Sequence, residues 1–183
     1  MMKNDGFSLI ELLVVLVILG ILASITIPGF SSWLPNYRLK SASRDLYSNM
    51  QLAKMGAVKA NADWAIVFDT GSGSYKICSN DGGDGSWTDG GETVEKTVDL
   101  ADYKSGVGYG HGNAANDIPG GAFPGDDVSY TNNVTVFNPR GTCNETGYVY
   151  LENSKNTTTY GVGSRTSGVI RLLKWNSSTS NWE

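Results

Sequence analysis

Apolar residues run almost unbroken from Phe7 to Ile27. These twenty-one residues carry one charge, Glu11, and stop at Pro28. At about 1.5 Å rise per residue, a helix of that length crosses a hydrocarbon layer of about 30 Å. From Tyr37 the pattern becomes periodic. Leu39, Ala42, Leu46, Met50, Ala53, Ala57 and Ala60 recur at steps of three and four, one stripe of an amphipathic helix. Pro28-Gly29 and Pro35 fall between the two patterns, and a kink or local melting is expected there.

Past Ala60 the period shortens. Seven short β-branched or aromatic runs, 64–68, 74–78, 93–98, 134–137, 148–151, 159–162 and 169–175, are bounded by Gly, Asn, Asp and Ser. They predict strands, most simply in two packed sheets. Thr70-Gly-Ser-Gly73 predicts a hairpin loop. The stretches 79–92 and 105–127 are long, glycine-rich and without period, and their role stays open. The predicted fold class is α+β: a long N-terminal hydrophobic α-helix, with a membrane half and an amphipathic half, packed on an all-β, two-sheet globular head.

Charge divides the chain in the same place. Residues 1–60 hold six Lys/Arg, three Asp/Glu and four glycines, whereas 61–183 hold eight, fifteen and nineteen. A basic stem of +3 thus precedes an acidic head of −7, which argues against nucleic-acid binding by bulk electrostatics. In the stem, Arg38, Lys40, Arg44, Lys54 and Lys59 oppose the single acid Asp45, either as a solvated helix face or as partners for acidic neighbours or anionic headgroups. One histidine and two cysteines cannot build a Cys₄ or Cys₂His₂ zinc site, so no metal centre and no cofactor is expected. No spacing of Asp or Glu supports a hydrolase, and the chain is read as not an enzyme.

Glu11 needs an explanation. A carboxylate inside a membrane span costs about 2.5–3.5 kcal/mol on insertion scales, and such a residue calls for a partner. If the chain is cut after Gly6, Phe7 becomes a new N-terminus with a positive amine, one helical turn from Glu11.

Lys3-Asn-Asp-Gly6-Phe7-Ser-Leu-Ile-Glu11-Leu resembles the leader and cleavage site of type IV pilins and type II secretion pseudopilins. Tyr37–Lys54, Val134–Gly141 and Tyr160–Leu172 resemble the GspH/FimT group of minor pseudopilins, although 79–127 matches nothing in that pattern. The resemblance implies a leader at 1–6, cleaved after Gly6 by a prepilin peptidase that also N-methylates Phe7. It further implies a transmembrane and filament-core helix at 7–28, an amphipathic stem at 29–61 and a periplasmic head at 62–183. The expected function is that of a minor pilin or pseudopilin, a single-pass inner-membrane subunit drawn into a type II secretion pseudopilus or a type IV pilus. The implied partners are other subunits, the peptidase, the inner membrane and the assembly platform, with Glu11 acting in assembly. The alternative is a filament-tip module whose head recognises carbohydrate, secreted protein or DNA, with Trp87, Tyr109 or Trp175 as contacts.

A periplasmic head makes a Cys78–Cys143 disulfide the default, with two buried free thiols as the alternative. Asp81–Glu92 has the length of an EF-hand loop, but Gly83 and Gly85 stand where ligands belong and Ser86 where glycine is needed. An EF-hand is excluded, leaving Asp81, Asp84 and Asp89 as an irregular Ca²⁺ candidate beside the favoured reading of a solvated acidic loop. His111, in a glycine-rich loop without a nearby Cys or carboxylate motif, is expected as an exposed loop residue, with a catalytic or metal role as the lesser alternative. The sequons at Asn133, Asn144, Asn156 and Asn176 lack an acid two residues earlier, and Gly168-Val-Ile-Arg171 lacks the first arginine of the Gly-Arg-x-Arg pattern of DNA-uptake relatives. Glycosylation and DNA binding are therefore not expected.

Overall fold

The computed structural model describes the backbone of residues 7–183 and the side chains of 7–24 and 33–183. The predicted leader, Gly6 included, lies outside the described residues. One helix, α1 (Leu9–Ala60), precedes nine strands: β1 (Trp64–Asp69), β2 (Ser74–Asn80), β3 (Thr93–Asp99), β4 (Gly108–Tyr109), β5 (Val134–Phe137), β6 (Gly147–Glu152), β7 (Tyr160–Ser164), β8 (Ile170–Asn176) and β9 (Asn181–Trp182). The chain divides into two units, residues 1–34 and residues 35–183.

The expected melting at the prolines does not occur: the backbone stays helical through Pro28, Gly29 and Pro35. A proline removes one donor and crowds the preceding turn, which a long helix absorbs without unwinding.

Within the second unit, the stripe read from the sequence is the spine of the core. Leu39, Ala42, Leu46, Met50, Ala53 and Ala57 are all fully buried, whereas Ala60, at the helix end, is exposed. The alanines let the sheets approach closely, and Gly56 lies flat under the Trp64 indole, where a Cβ would come within 2.6 Å of the ring. Ser43, buried on the same face, donates to the Leu39 carbonyl and so brings no unpaired hydroxyl into the core.

The strands form two antiparallel sheets, ordered β3-β2-β1-β5 and β4-β6-β7-β8-β9. The hairpin expected at 70–73 joins β1 to β2, with Asp69 opposite Ser74. Strand β1 is buried on both faces from Ala65 to Phe68. Ile66 and Phe68 enter the main core with α1, while Ala65 and Val67 sit under a second small cluster with Cys78 and Val134. That double burial explains its unbroken apolar run. All seven predicted strands are present, and two more, β4 and β9, are two residues each, too short to show any period.

A fragment starting at Pro35 keeps every buried stripe residue and both sheets. It is expected to be a soluble monomer with cooperative unfolding, checked by analytical ultracentrifugation and urea denaturation. A need for detergent would place the boundary elsewhere.

Candidate functional site

The N-terminal unit presents an apolar surface without internal cover. Ser8 opens α1, its carbonyl accepting from the Glu11 and Leu12 amides at 3.1 and 3.2 Å. Every large apolar side chain from Phe7 to Leu22 is exposed, from 48% at Val14 to 84% at Phe7. Consecutive residues are exposed, so the helix is apolar all round, a pattern stable only inside lipid or among other apolar helices. Among the described residues no helix is long and apolar enough to cross a membrane. The described side chains of the run end at Ser24, and the stretch from Leu9 to there is about 24 Å long.

In the second unit the cations of α1 have separate fates. Arg38 donates to Ser105 Oγ at 2.7 Å and Lys54 to the Gly168 carbonyl at 2.9 Å, so both tie the helix to head loops. Lys40, Arg44 and Lys59 are exposed. Leu52, Met55 and Val58 are also exposed on this helix, at 45%, 62% and 51%. Leu52 and Met55 edge an apolar hollow of about 500 Å³ against Trp64, whose Nε1 is buried without an acceptor.

The expected Cys78–Cys143 disulfide is not formed, and both cysteines are buried free thiols. The sheet itself separates them. Cys78 pairs with Ala65 and shares its face with Val136, on the side of the small cluster. Cys143 lies on the opposite face, within 3.0 Å of Thr135 Oγ1 and 3.2 Å of Ser164 Oγ. No side-chain rotation bridges two cysteines through a strand layer.

Burial pushes the Cys78 thiol up from 9.0 to about 11, with the Glu92 charge adding to the effect. Burial likewise pushes Tyr75 up from 10.0 to about 12, against the lowering effect of its hydrogen bond from Asn49. Tyr109, Tyr130 and Tyr150 shift upward for the same reason. Folding thus favours the protonated forms, and their contribution is whole below the unfolded values and lost as pH rises through the folded ones. The urea midpoint of the head is expected to be flat from about pH 7 to about pH 9 and to fall steadily towards about pH 12. A midpoint unchanged across that upper window would contradict the burial of these groups.

Two of the calcium candidates meet: a hydrogen bond with Asp84 lowers the Asp89 carboxyl below its usual value. Asp81, Asp84 and Asp89 accept from the amides of Gly83, Ser86 and Gly91 at 3.0, 2.8 and 3.0 Å. Among the described residues no group of three ligating side chains can hold a metal ion. The carboxylates are spent on turning a glycine-rich loop, which sequence spacing alone does not distinguish from ligation.

His111 departs from its expected setting. It is half-buried, with Nδ1 against the Asp127 carboxylate and the ring stacked on Phe123 at 4.1 Å. Phe123 meets Tyr150 edge-on at 4.8 Å, and Tyr150 leads to Trp182 and Trp175. This aromatic row packs loop 105–127 and β9 onto the second sheet, and sixteen residues of chain hid the His–Asp pair from sequence reading. Of the three proposed aromatic contacts, Trp175 is buried and the Tyr109 hydroxyl donates to the Ser74 carbonyl. Trp87 is left half-open on the outer face of the first sheet.

An N-terminal helix segment with exposed apolar side chains, and a two-sheet head packed on a buried helical stripe, fit a pilin-type subunit. The family model for the type II transport protein GspH matches residues 42–168, more than half of the chain, and this chain belongs to that family. The prokaryotic N-terminal methylation motif matches residues 1–27. The chain is also similar to the pilin-like protein PilA1 of Thermus thermophilus, 37% identical over 78 residues, which covers 42% of this chain and 48% of the relative. The matched segment spans about half the length of that curated relative. No solved structure matches. These relationships point to structural pilin-type proteins.

Proposed function

We propose that this chain is a minor pilin or pseudopilin, cut after Gly6, methylated on Phe7, and drawn from the inner membrane into a filament. The carrying observation is that every large apolar side chain from Phe7 to Leu22 is exposed, in a chain whose head has a buried core of its own. Each such side chain gains about 1.5–3 kcal/mol on full burial, so the stem has a strong drive into lipid and then among other stems. The full Phe7–Ile27 run is the membrane span of this reading, with the leader cytoplasmic and the head periplasmic. The family description supports a secretion pseudopilus, the named relative a pilus. The exposed Leu52, Met55 and Val58 add a second apolar surface for neighbouring subunits. Prepilin peptidase and the assembly platform are the further partners that processing and extraction require.

The test is the intact mass of the chain extracted from membranes with and without a prepilin peptidase. With the enzyme, the mass is expected to drop by residues 1–6 and gain one methyl group. An uncut chain in the presence of an active peptidase would remove this reading. Gly6→Glu is expected to keep the whole leader under either condition.

A further inference from the structure

Loop 79–92 has no part in the stem or the core spine, yet its turns are held by side-chain hydrogen bonds. Besides the three aspartate turns, Asn80 caps the Gly82 amide and Glu92 the Gly90 amide, at 2.7 and 2.8 Å. The loop sets Trp87 on the cluster of Ala65, Val67, Cys78 and Val134 on the outer face of the first sheet. Across from it stands the turn 131–133, where Asn132 and Asn133 hold φ of 53° and 57°, the left-handed region that asparagine tolerates. Between the two walls lie hollows of about 310 and 260 Å³ that share Thr88 and Asn132, forming one groove. Each is near the lower end of ordinary ligand pockets, about 300 Å³.

The groove's chemistry narrows its occupant. Trp87 offers an indole beside the hydroxyl of Thr88, the amides of Asn132 and Asn144, and the Glu145 carboxylate. The Asn132 side chain makes no hydrogen bond among the described residues, while Glu145 is oriented by Thr131 at 2.9 and 3.0 Å. In the adjoining hollow Asp69 and Glu92 face one cation, Lys76, whose Nζ is already 3.9 Å from Glu92. Three carboxylates against one paired ammonium repel phosphates and polyanions. A rim of amides and hydroxyls that needs hydrogen bonds disfavours a purely apolar guest. A polyhydroxylated neutral chain fits both demands, because its C–H faces cover an indole while its hydroxyls both donate to carboxylates and accept from amides.

We infer that this groove binds a neutral oligosaccharide, with Trp87 as the stacking platform and the two hollows taking successive sugar rings. The inference does not depend on the filament reading.

The full chain, held in a zwitterionic detergent without sugar headgroups, is titrated by calorimetry with cellohexaose, maltohexaose and chitohexaose. Hexagalacturonate, a single-stranded oligonucleotide and an uncharged peptide serve as competitors of other classes. Saturable binding of at least one neutral hexaose with Kd below about 1 mM is expected, together with no binding of the other three. Trp87→Ala is expected to weaken it at least about tenfold, and Trp87→Phe to restore part of the loss. Because Trp87 also covers the Ala65 face, Thr88→Trp at an exposed position supplies an independent variant that fills the shared part of the groove. It is expected to block binding with unchanged thermal unfolding. No saturation by any neutral hexaose up to about 1 mM, stronger binding of a competitor, or full binding by Thr88→Trp would each overturn the inference.

Discussion

Glu11→Gln is expected to cut recovery of the subunit in filaments at least about tenfold, with leader cleavage, membrane insertion and head unfolding unchanged. The carboxylate costs about 2.5–3.5 kcal/mol in hydrocarbon, so the glutamine subunit sits more comfortably in the bilayer than the wild type. The loss appears on docking. A carboxylate and the Phe7 amine of a neighbouring subunit, about 4 Å apart, gain about 4 kcal/mol at an effective dielectric of about 20. Losing even about 1.4 kcal/mol of that gain is a tenfold change in incorporation. Glu11 is placed one turn into the helix with its backbone amide held by Ser8, so the substitution alters charge and leaves the local helix as it was. Sheared filaments are quantified by immunoblot against total membrane subunit. Wild-type recovery of Glu11→Gln would end the charge-pair mechanism while leaving family membership untouched.

Gly163→Ala is expected to destabilise the head by about 3 kcal/mol or more, the upper range for overpacking. In β7, Gly163 faces Tyr148 of β6 across the ladder. A Cβ there would overlap the Gly147 carbonyl oxygen and lie 2.7 Å from Tyr148 Cα, so two backbone segments would have to part. Gly161, two residues earlier in the same strand, is a matched control. Its added Cβ would meet the tip of Ile118, with the Tyr150 ring at 3.3 Å, and side-chain ends can turn aside. Gly161→Ala is expected to cost about 1 kcal/mol, the lower range for the same kind of change. Urea denaturation of the two variants in the fragment from Pro35 gives the comparison. Equal costs would mean that β6 and β7 do not approach as closely as the structure has them.

Local pattern made much of this legible. The stem spacing marked six residues that are fully buried, and seven strand runs were found within a residue or two of their ends. The methylation motif and the GspH match cover most of the segments whose resemblance the sequence carried, and the GspH match also spans 79–127, where no resemblance was seen. Pattern failed where the deciding contact is distant in the chain. Cys78 and Cys143 were joined on paper because periodicity does not say which face of a sheet each thiol occupies. The register of β1 against β2 and β5 decides it, and that register places them on opposite sides. For Asp81, Asp84 and Asp89 the favoured reading was an acidic loop, and what the pattern did not show was that each carboxylate caps an amide two residues on. His111 looked solitary because Asp127 reaches it only after loop 105–127 has folded back.

The sequence by itself therefore determined the stem, the strands and the family. These depend on near-neighbour spacing, which records which face of an element meets apolar surroundings. Tertiary structure alone decided the free thiols, the His111–Asp127 pair and the groove beneath Trp87. Each of these joins residues from different strands or loops, and their proximity follows from register and loop closure, which no short window of sequence contains.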